Sequence, residues 1–293
     1  MKAPATDQKL RGGYYTPKVV ADFLTRWAVT DRAASVLEPS FGDGVFVESA
    51  AETLLGLGAV SRDASNQLHG TEFDPGEAAA GVRRLSRLGL TPAGLSAGDS
   101  FERCDDWLHA CRQFDAVIGN PPFIRYQHFA EAHRQHAFTI MHRAGLHPNR
   151  LTNAWVPFLV GSSLLLAPTG RLAMVIPAEL LQVDYAAGLR RFLGDYFSRL
   201  TILTFRKLVF DEAQQEVVLL LAERNGSERT GIRRIELGGA RDLEGFDYST
   251  ALDSPLKPMD HSSEKWTQYF LETPEILFLR ELRSHPAIGT FGE

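Results

Sequence analysis

The stretch Phe114-Asp115-Ala116-Val117-Ile118-Gly119-Asn120-Pro121-Pro122-Phe123 constrains this chain more than any other. It opens as a short apolar run, the pattern of a buried strand. Two consecutive prolines then forbid continuation of a hydrogen-bonded ladder. Pro121 also biases Asn120 toward extended backbone geometry. The strand must therefore end in a stiff turn that carries an amide side chain, a rigidly held carbonyl and a flat ring. In open α/β sheets, ligands bind at such carboxyl ends of central strands.

These groups suit one kind of chemistry. An exocyclic aromatic amine such as adenine N6 is a poor nucleophile, because its lone pair is delocalised into the ring. The Asn120 side-chain oxygen and the Pro121 carbonyl can each accept one of its two protons. Bonds to both favour a pyramidal nitrogen with a localised lone pair, the geometry of the transition state. Phe123 can stack on the base and align it with an electrophile. An ordinary strand-ending turn with a core phenylalanine is the plain alternative.

The segments before this turn repeat its placement. Arg11-Gly12-Gly13-Tyr14-Tyr15-Thr16-Pro17 reads as a loop entering a helix over 17–29, with Thr16 as N-cap and Pro17 at the first helical position. Val36-Leu37 begins a strand that runs into Glu38-Pro39-Ser40-Phe41-Gly42-Asp43-Gly44, and a helix follows to about Leu57. Strand, glycine-containing turn and helix is the nucleotide-cofactor arrangement, with Gly42 and Gly44 allowing close backbone approach. The spacing is neither G-x-G-x-x-G nor a phosphate loop. Glu38 suits a cofactor with a cationic amine better than a pyrophosphate. The second strand, 68–73, ends at Glu72, placed for ribose hydroxyls, and Phe73, placed to cover an adenine. Asp74 is expected to cap the next helix. The third strand, near 94–97, leads to Asp99-Ser100-Phe101, where Asp99 can bind an adenine amino group or cap a helix over 102–111.

Beyond the turn, residues 124–150 are polar and rich in basic groups. From Phe123 to Arg150, Arg125, Arg134, Arg143 and Arg150 face a single acid, Glu131, and five of the nine histidines lie there. This reads as a solvated, phosphate-facing surface rather than a metal site. A helix over 151–167, a turn at Pro168-Thr169-Gly170, a strand over 171–176 and a helix over 185–197 follow. Strands 200–205 and 216–222 are expected to pair antiparallel across a loop that holds Phe210, a second candidate stacking surface. A further strand over 232–237, a linker at 254–258 and a helix over 273–284 complete the pattern.

Composition sets limits on these readings. With 293 residues, 44% hydrophobic and 23% charged, the chain is of ordinary globular type. Its polar start and the shortness of its most apolar stretch point to a cytoplasmic setting. On one helix, Cys104 and Cys111 would lie roughly 10 Å apart along the axis, too far for a disulfide. A net charge of -5 argues mildly against nucleic acid as partner, but the charge is uneven, with a basic segment after the turn and an acidic carboxyl end.

In this order the pieces resemble the gamma-class N6-adenine-specific DNA methyltransferases, the TaqI-like and PstI/SalI-like enzymes of restriction–modification systems. The resemblance covers roughly residues 11–225. Tyr15-Thr16-Pro17 resembles the amino-terminal cofactor motif, and Glu38-Pro39-Ser40-Phe41-Gly42-Asp43-Gly44 the main S-adenosylmethionine loop. Glu72-Phe73 and Asp99-Ser100-Phe101 resemble the ribose and adenine motifs. Asn120-Pro121-Pro122-Phe123 resembles the catalytic motif, in which Asn120 and Pro122 also border the cofactor. Phe210 stands where the family places an aromatic against the flipped base.

The resemblance implies a Rossmann-like fold: a seven-stranded, mostly parallel sheet with a terminal antiparallel hairpin and helices on both faces. It further implies direct methyl transfer without metal or covalent intermediate. The partners it implies are double-stranded DNA, a target-recognition domain or subunit, and a cognate restriction endonuclease. The expected division is a catalytic domain at 1–225 and an extension at 226–293 leading toward a missing or truncated recognition domain. RNA adenine or a protein glutamine amide as substrate, or a cofactor-binding subunit inactive without its partner, are the alternatives that the motif chemistry leaves open.

Overall fold

The computed structural model describes residues 15–124, 131–148, 152–209, 216–224, 230–252, 254–259 and 265–285. Its centre is an eight-stranded sheet with the order β3-β2-β1-β4-β5-β7-β6-β8. The strands are β1 (Val36–Glu38), β2 (Leu68–Glu72), β3 (Gly94–Ala97), β4 (Phe114–Gly119), β5 (Leu166–Pro177), β6 (Arg199–Phe205), β7 (Val217–Glu223) and β8 (Gly231–Leu237). Strands β3, β2, β1, β4 and β5 run parallel. The antiparallel β7 lies between β5 and β6.

The α-helices are α1 (Lys18–Ala28), α2 (Val45–Gly56), α3 (Ser61–Gln67), α4 (Pro75–Arg87), α5 (Ser100–His109), α6 (Glu131–Arg143), α7 (Trp155–Leu164), α8 (Ala187–Tyr196), α9 (Tyr248–Leu252) and α10 (Thr273–Ser284).

Both faces of the sheet are covered, so the middles of its central strands are apolar runs instead of alternating with polar residues. The pleat still sorts them. On β5, Leu172, Met174 and Ile176 face one core, built with α5, α6 and α7, while Ala173 and Val175 face the other, built with α1 and α2. On β7, Val218, Leu220 and Ala222 join the first core, and Val217, Leu219 and Leu221 the second.

Several boundaries depart from the sequence expectation. The sheet has eight strands where the resemblance implies seven: the strand expected over 232–237 is present as β8 and pairs in parallel with β6 from Arg199↔Gly231 to Phe205↔Leu237. It comes from the stretch expected beyond residue 225, so the sheet reaches into that stretch. The turn expected at Pro168-Thr169-Gly170 lies inside β5. Its register against β4 jumps from Phe114↔Leu166 to Ala116↔Arg171, which accommodates the extra residues as a bulge.

Thr16 does not cap α1. Pro17 holds the N-cap position at ψ 137°, and no side chain caps the helix. The expected polar region after the Asn120-Pro121-Pro122-Phe123 turn contains α6, whose Ala137, Ile140 and Met141 are buried. Its charged face meets the acids of α5: Arg143 lies 3.2 Å and His136 3.7 Å from Asp105. Part of the basic surface expected there is thus neutralised within the fold. Cys104 is buried and Cys111 exposed, both as free thiols.

The chain builds β1, β2 and β3 outward in one direction, then crosses to β4 on the other side of β1. The strand order reverses between β1 and β4, whose connections leave toward opposite sides, the place where open α/β sheets bind ligands in a crevice. Glu38 ends the first of these strands and Asn120 follows the second.

Candidate active site

Glu38 ends β1 and is only 2% exposed. One of its carboxylate oxygens, Oε2, is buried with no hydrogen-bond partner. Burial pushes its pKa well above the ordinary value of 4.5, and the neighbouring Asp43 and Glu72 push it further in the same direction. A buried, under-satisfied carboxyl is unfavourable for folding and marks a place where a donor is expected. The loop after it turns through Gly42 (φ 51°) and Gly44 (φ 89°) into α2. A Cβ on Gly44 would lie 2.5 Å from the Gly81 Cα, so the loop and α4 are in contact backbone to backbone. Pro39 is buried and Ser40 half-buried beside it.

Glu72, at the end of β2, is half-buried. Its carboxylate accepts the backbone N–H groups of Gly42 (2.9 Å) and Asp74 (2.9 Å), joining the ends of the first two strands. Burial raises its pKa as well. Asp74 caps α4 as expected, accepting from Gly76 and Glu77. Phe73 next to it is 63% exposed. Asp99 caps α5 through the Phe101 N–H (2.8 Å), and its other oxygen contacts Nδ1 of His133 from α6. The Phe73 ring meets the His133 ring edge-on, with centroids 5.0 Å apart. Ser100 is buried and its hydroxyl donates to the Thr71 carbonyl at 3.3 Å. Phe101 is 3% exposed, and its ring packs on Phe158 in the core.

Asn120 follows β4. Its side-chain N–H donates to the Thr16 hydroxyl at 3.2 Å, and its Oδ1 is buried without a partner. The oxygen needed as an acceptor is therefore held in place with its lone pairs uncommitted. Thr16 is buried, and its hydroxyl orients the amide instead of capping a helix. Tyr15 beside it is exposed and donates to Glu77 at 3.3 Å. Pro121 is buried, while Pro122 and Phe123 are half-buried. Gly119 brings the two strand ends together: a Cβ there would lie 3.5 Å from Glu38 Cγ.

The structure thus sets Thr16, Glu38, Gly42, Gly44, Glu72 and Asn120 at the carboxyl ends of β1, β2 and β4, places Phe73 and Asp99 after β2 and β3, and turns the Phe101 ring into the core. Phe210 lies outside the described residues. Sequence reasoning missed two contributions. One is the pairing of His133 with Asp99. The other is Asn153, buried with an unpartnered Oδ1, whose neighbour Ala154 donates its N–H to the Ile124 carbonyl just past the catalytic turn. Among the described residues, no group of three or more His, Cys, Asp or Glu could hold a metal, and no helix is long and apolar enough to cross a membrane.

The Thr16–Asn120 bond gives a direct test. Thr16→Val keeps the shape and removes the acceptor. The loss of one neutral hydrogen bond, about 0.5–1.5 kcal/mol, should lower turnover by roughly 2- to 12-fold. Comparison of kcat with directly measured cofactor affinity should put the loss mainly in kcat.

Residues 91–210 match the Eco57I restriction-modification methylase family. The chain is 24% identical over 255 residues to the type II methyltransferase M.HincII of Haemophilus influenzae, an alignment covering 87% of this chain and 45% of that protein. It spans about half the length of the curated relatives it matches. In three dimensions it resembles the DrdV–DNA complex, with a TM-score of 0.67 and 15% identity over 86% of this chain and 30% of that one. It also resembles the methyltransferase subunit of a type I restriction-modification system from Streptococcus thermophilus, with a TM-score of 0.59 and 20% identity over 77% of this chain and 47% of that one. Residues 91–210 are thus similar to the Eco57I restriction-modification methylase family, in a chain that is related in sequence to type II methyltransferases and shares the fold of the solved restriction-modification structures above.

Proposed function

We propose that this protein transfers a methyl group from S-adenosylmethionine to adenine N6 in duplex DNA, as the modification part of a restriction–modification system. The observation that carries the reading is the buried, unpartnered Oδ1 of Asn120, held by Thr16 at the mouth of the crevice shared with Glu38.

When bound, S-adenosylmethionine would supply a methyl group on a sulfonium centre. The other requirements fall to the chain's own residues. Asn120 Oδ1 and the Pro121 carbonyl accept the two N6 protons, which turns the nitrogen lone pair toward the electrophile. Phe123 stacks on the base, which must leave the duplex to reach this depth. Phe210 is the further stacking surface of this reading. Glu38 receives the cofactor's ammonium group, Glu72 the ribose hydroxyls, and Asp99 with Phe73 the cofactor's adenine. The donor set fits the cofactor: the unpartnered buried carboxylate oxygen of Glu38 suits a cation, and the Gly42–Gly44 loop lets a ligand approach the backbone. Tyr15, Thr16, Pro17, Pro39, Ser40, Ser100 and Pro122 border these groups. Duplex DNA, a target-recognition part toward which residues 226–293 would lead, and a cognate endonuclease are the partners of this reading.

The test is transfer of labelled methyl from S-adenosylmethionine to unmethylated duplex DNA, with nucleoside analysis of the product. N6-methyladenine establishes the chemistry. Cofactor binding without transfer points to a recognition partner that must be supplied. Methylated protein, or neither binding nor transfer, overturns the reading.

A further inference from the structure

Asp99 and Phe73 lie on different strand ends, and neither is fixed by its own strand. Phe73 is largely exposed, and Asp99 follows β3 through Gly98. One side chain touches both. His133 binds the Asp99 carboxylate through Nδ1 and sets its ring edge-on to Phe73. His133 is itself anchored, because α6 buries Ala137, Ile140 and Met141 and ties its far end to Asp105 through Arg143 at 3.2 Å.

We propose that His133 is a positioning residue for the cofactor's adenine, holding Asp99 as the acceptor for the ring amino group and Phe73 as the stacking surface. The proposal deepens the functional reading above and rests on it. A carboxylate has about four acceptor sites. The Phe101 N–H takes one on Oδ1 and His133 takes one on Oδ2, so the carboxylate plane is fixed from two elements while capacity for a third donor remains. A donor to the carboxylate at Nδ1 also fixes the imidazole proton on that nitrogen. Without His133 the Asp99 carboxylate would keep only its capping bond, and the Phe73 ring would lose its lateral support. Both would then have to be ordered by the incoming ligand, at a cost in affinity.

The experiment is calorimetric binding of S-adenosylhomocysteine and of S-inosylhomocysteine to the full chain. The inosine ring presents an oxygen where adenine presents its amino group. The wild type should bind the adenosyl compound more tightly. His133→Ala should weaken that binding by roughly 5- to 30-fold, less than the full loss of a charge-assisted hydrogen bond because Asp99 itself remains, while the inosyl compound changes little, so that the preference collapses. His133→Asn, whose amide N–H occupies nearly the Nδ1 position, should restore both affinity and preference. Unchanged adenosyl affinity in His133→Ala overturns the proposal. So does equal weakening of both ligands that His133→Asn does not rescue, which would mark a merely structural histidine. A wild type that binds neither compound overturns the cofactor reading itself, and this assignment with it.

Discussion

Replacing Asn120 by alanine is expected to slow methyl transfer by roughly 10²- to 10³-fold, the usual effect of deleting a group aimed at the transition state. Cofactor affinity and folding should change far less. Among the described residues the amide oxygen has no partner, so removing it leaves no donor unpaired. What the fold loses is one hydrogen bond to Thr16, and it is relieved of one buried unsatisfied acceptor. The thermal midpoint should therefore stay level or rise slightly. Such a pattern of preserved stability, preserved cofactor binding and lost turnover separates a catalytic amide from a turn-forming one. Full methyl transfer by Asn120→Ala would sink the role assigned to Asn120.

The second large effect concerns Glu38. Glu38→Gln should weaken S-adenosylmethionine binding by roughly 10- to 150-fold, the equivalent of about 1.5–3 kcal/mol for a hydrogen bond between charged groups. The same change should stabilise the protein without ligand. A buried carboxyl with a raised pKa binds its proton more tightly in the folded state than in the unfolded one. Stability then falls as pH rises from the ordinary value of 4.5 toward the folded-state value. The neutral glutamine escapes this loss. The variant's melting temperature should thus match that of the wild type below about pH 4 and exceed it progressively as pH rises, by roughly 2–4 °C for each kcal/mol. Melting curves across this range, together with calorimetric binding, test both halves. A variant that is no more stable at pH 7 would contradict the buried-carboxyl account, and one that binds the cofactor normally would remove Glu38 from the site.

The strand ends were legible in the sequence because each couples a short apolar run to residues that stop a strand. Pro39, Pro75, Gly98 and the Pro121-Pro122 pair all mark such stops. What was not legible depends on contacts remote in the chain. Thr16 has the local chemistry of an N-cap, but its hydroxyl is taken by Asn120, 104 residues away. The Pro168-Thr169-Gly170 string carries turn chemistry, yet pairing with β4 on either side of it, at Leu166 and at Arg171, absorbs it into β5 as a bulge. Helix α6 carries Ala137, Ile140 and Met141 at helical spacing, but among polar and charged residues that mask this short stripe. Its charge pairing with α5 is a contact that no hydrophobic period reveals.

The position of β7 has a consequence for how the chain is made. β7 is hydrogen-bonded on both edges, between β5 and β6, although β6 precedes it in sequence. Until Val217–Glu223 leaves the ribosome, β6 has no seat next to β5, and the long apolar edge of β5 has no antiparallel partner. β8 then needs β6 in place. The last three strands of the sheet therefore close in one late step, and a nascent chain paused before that step carries an open, sticky edge. Synthesis arrested between residues 205 and 217 should yield chains that need chaperone protection, whereas chains that extend past β8 can close the sheet.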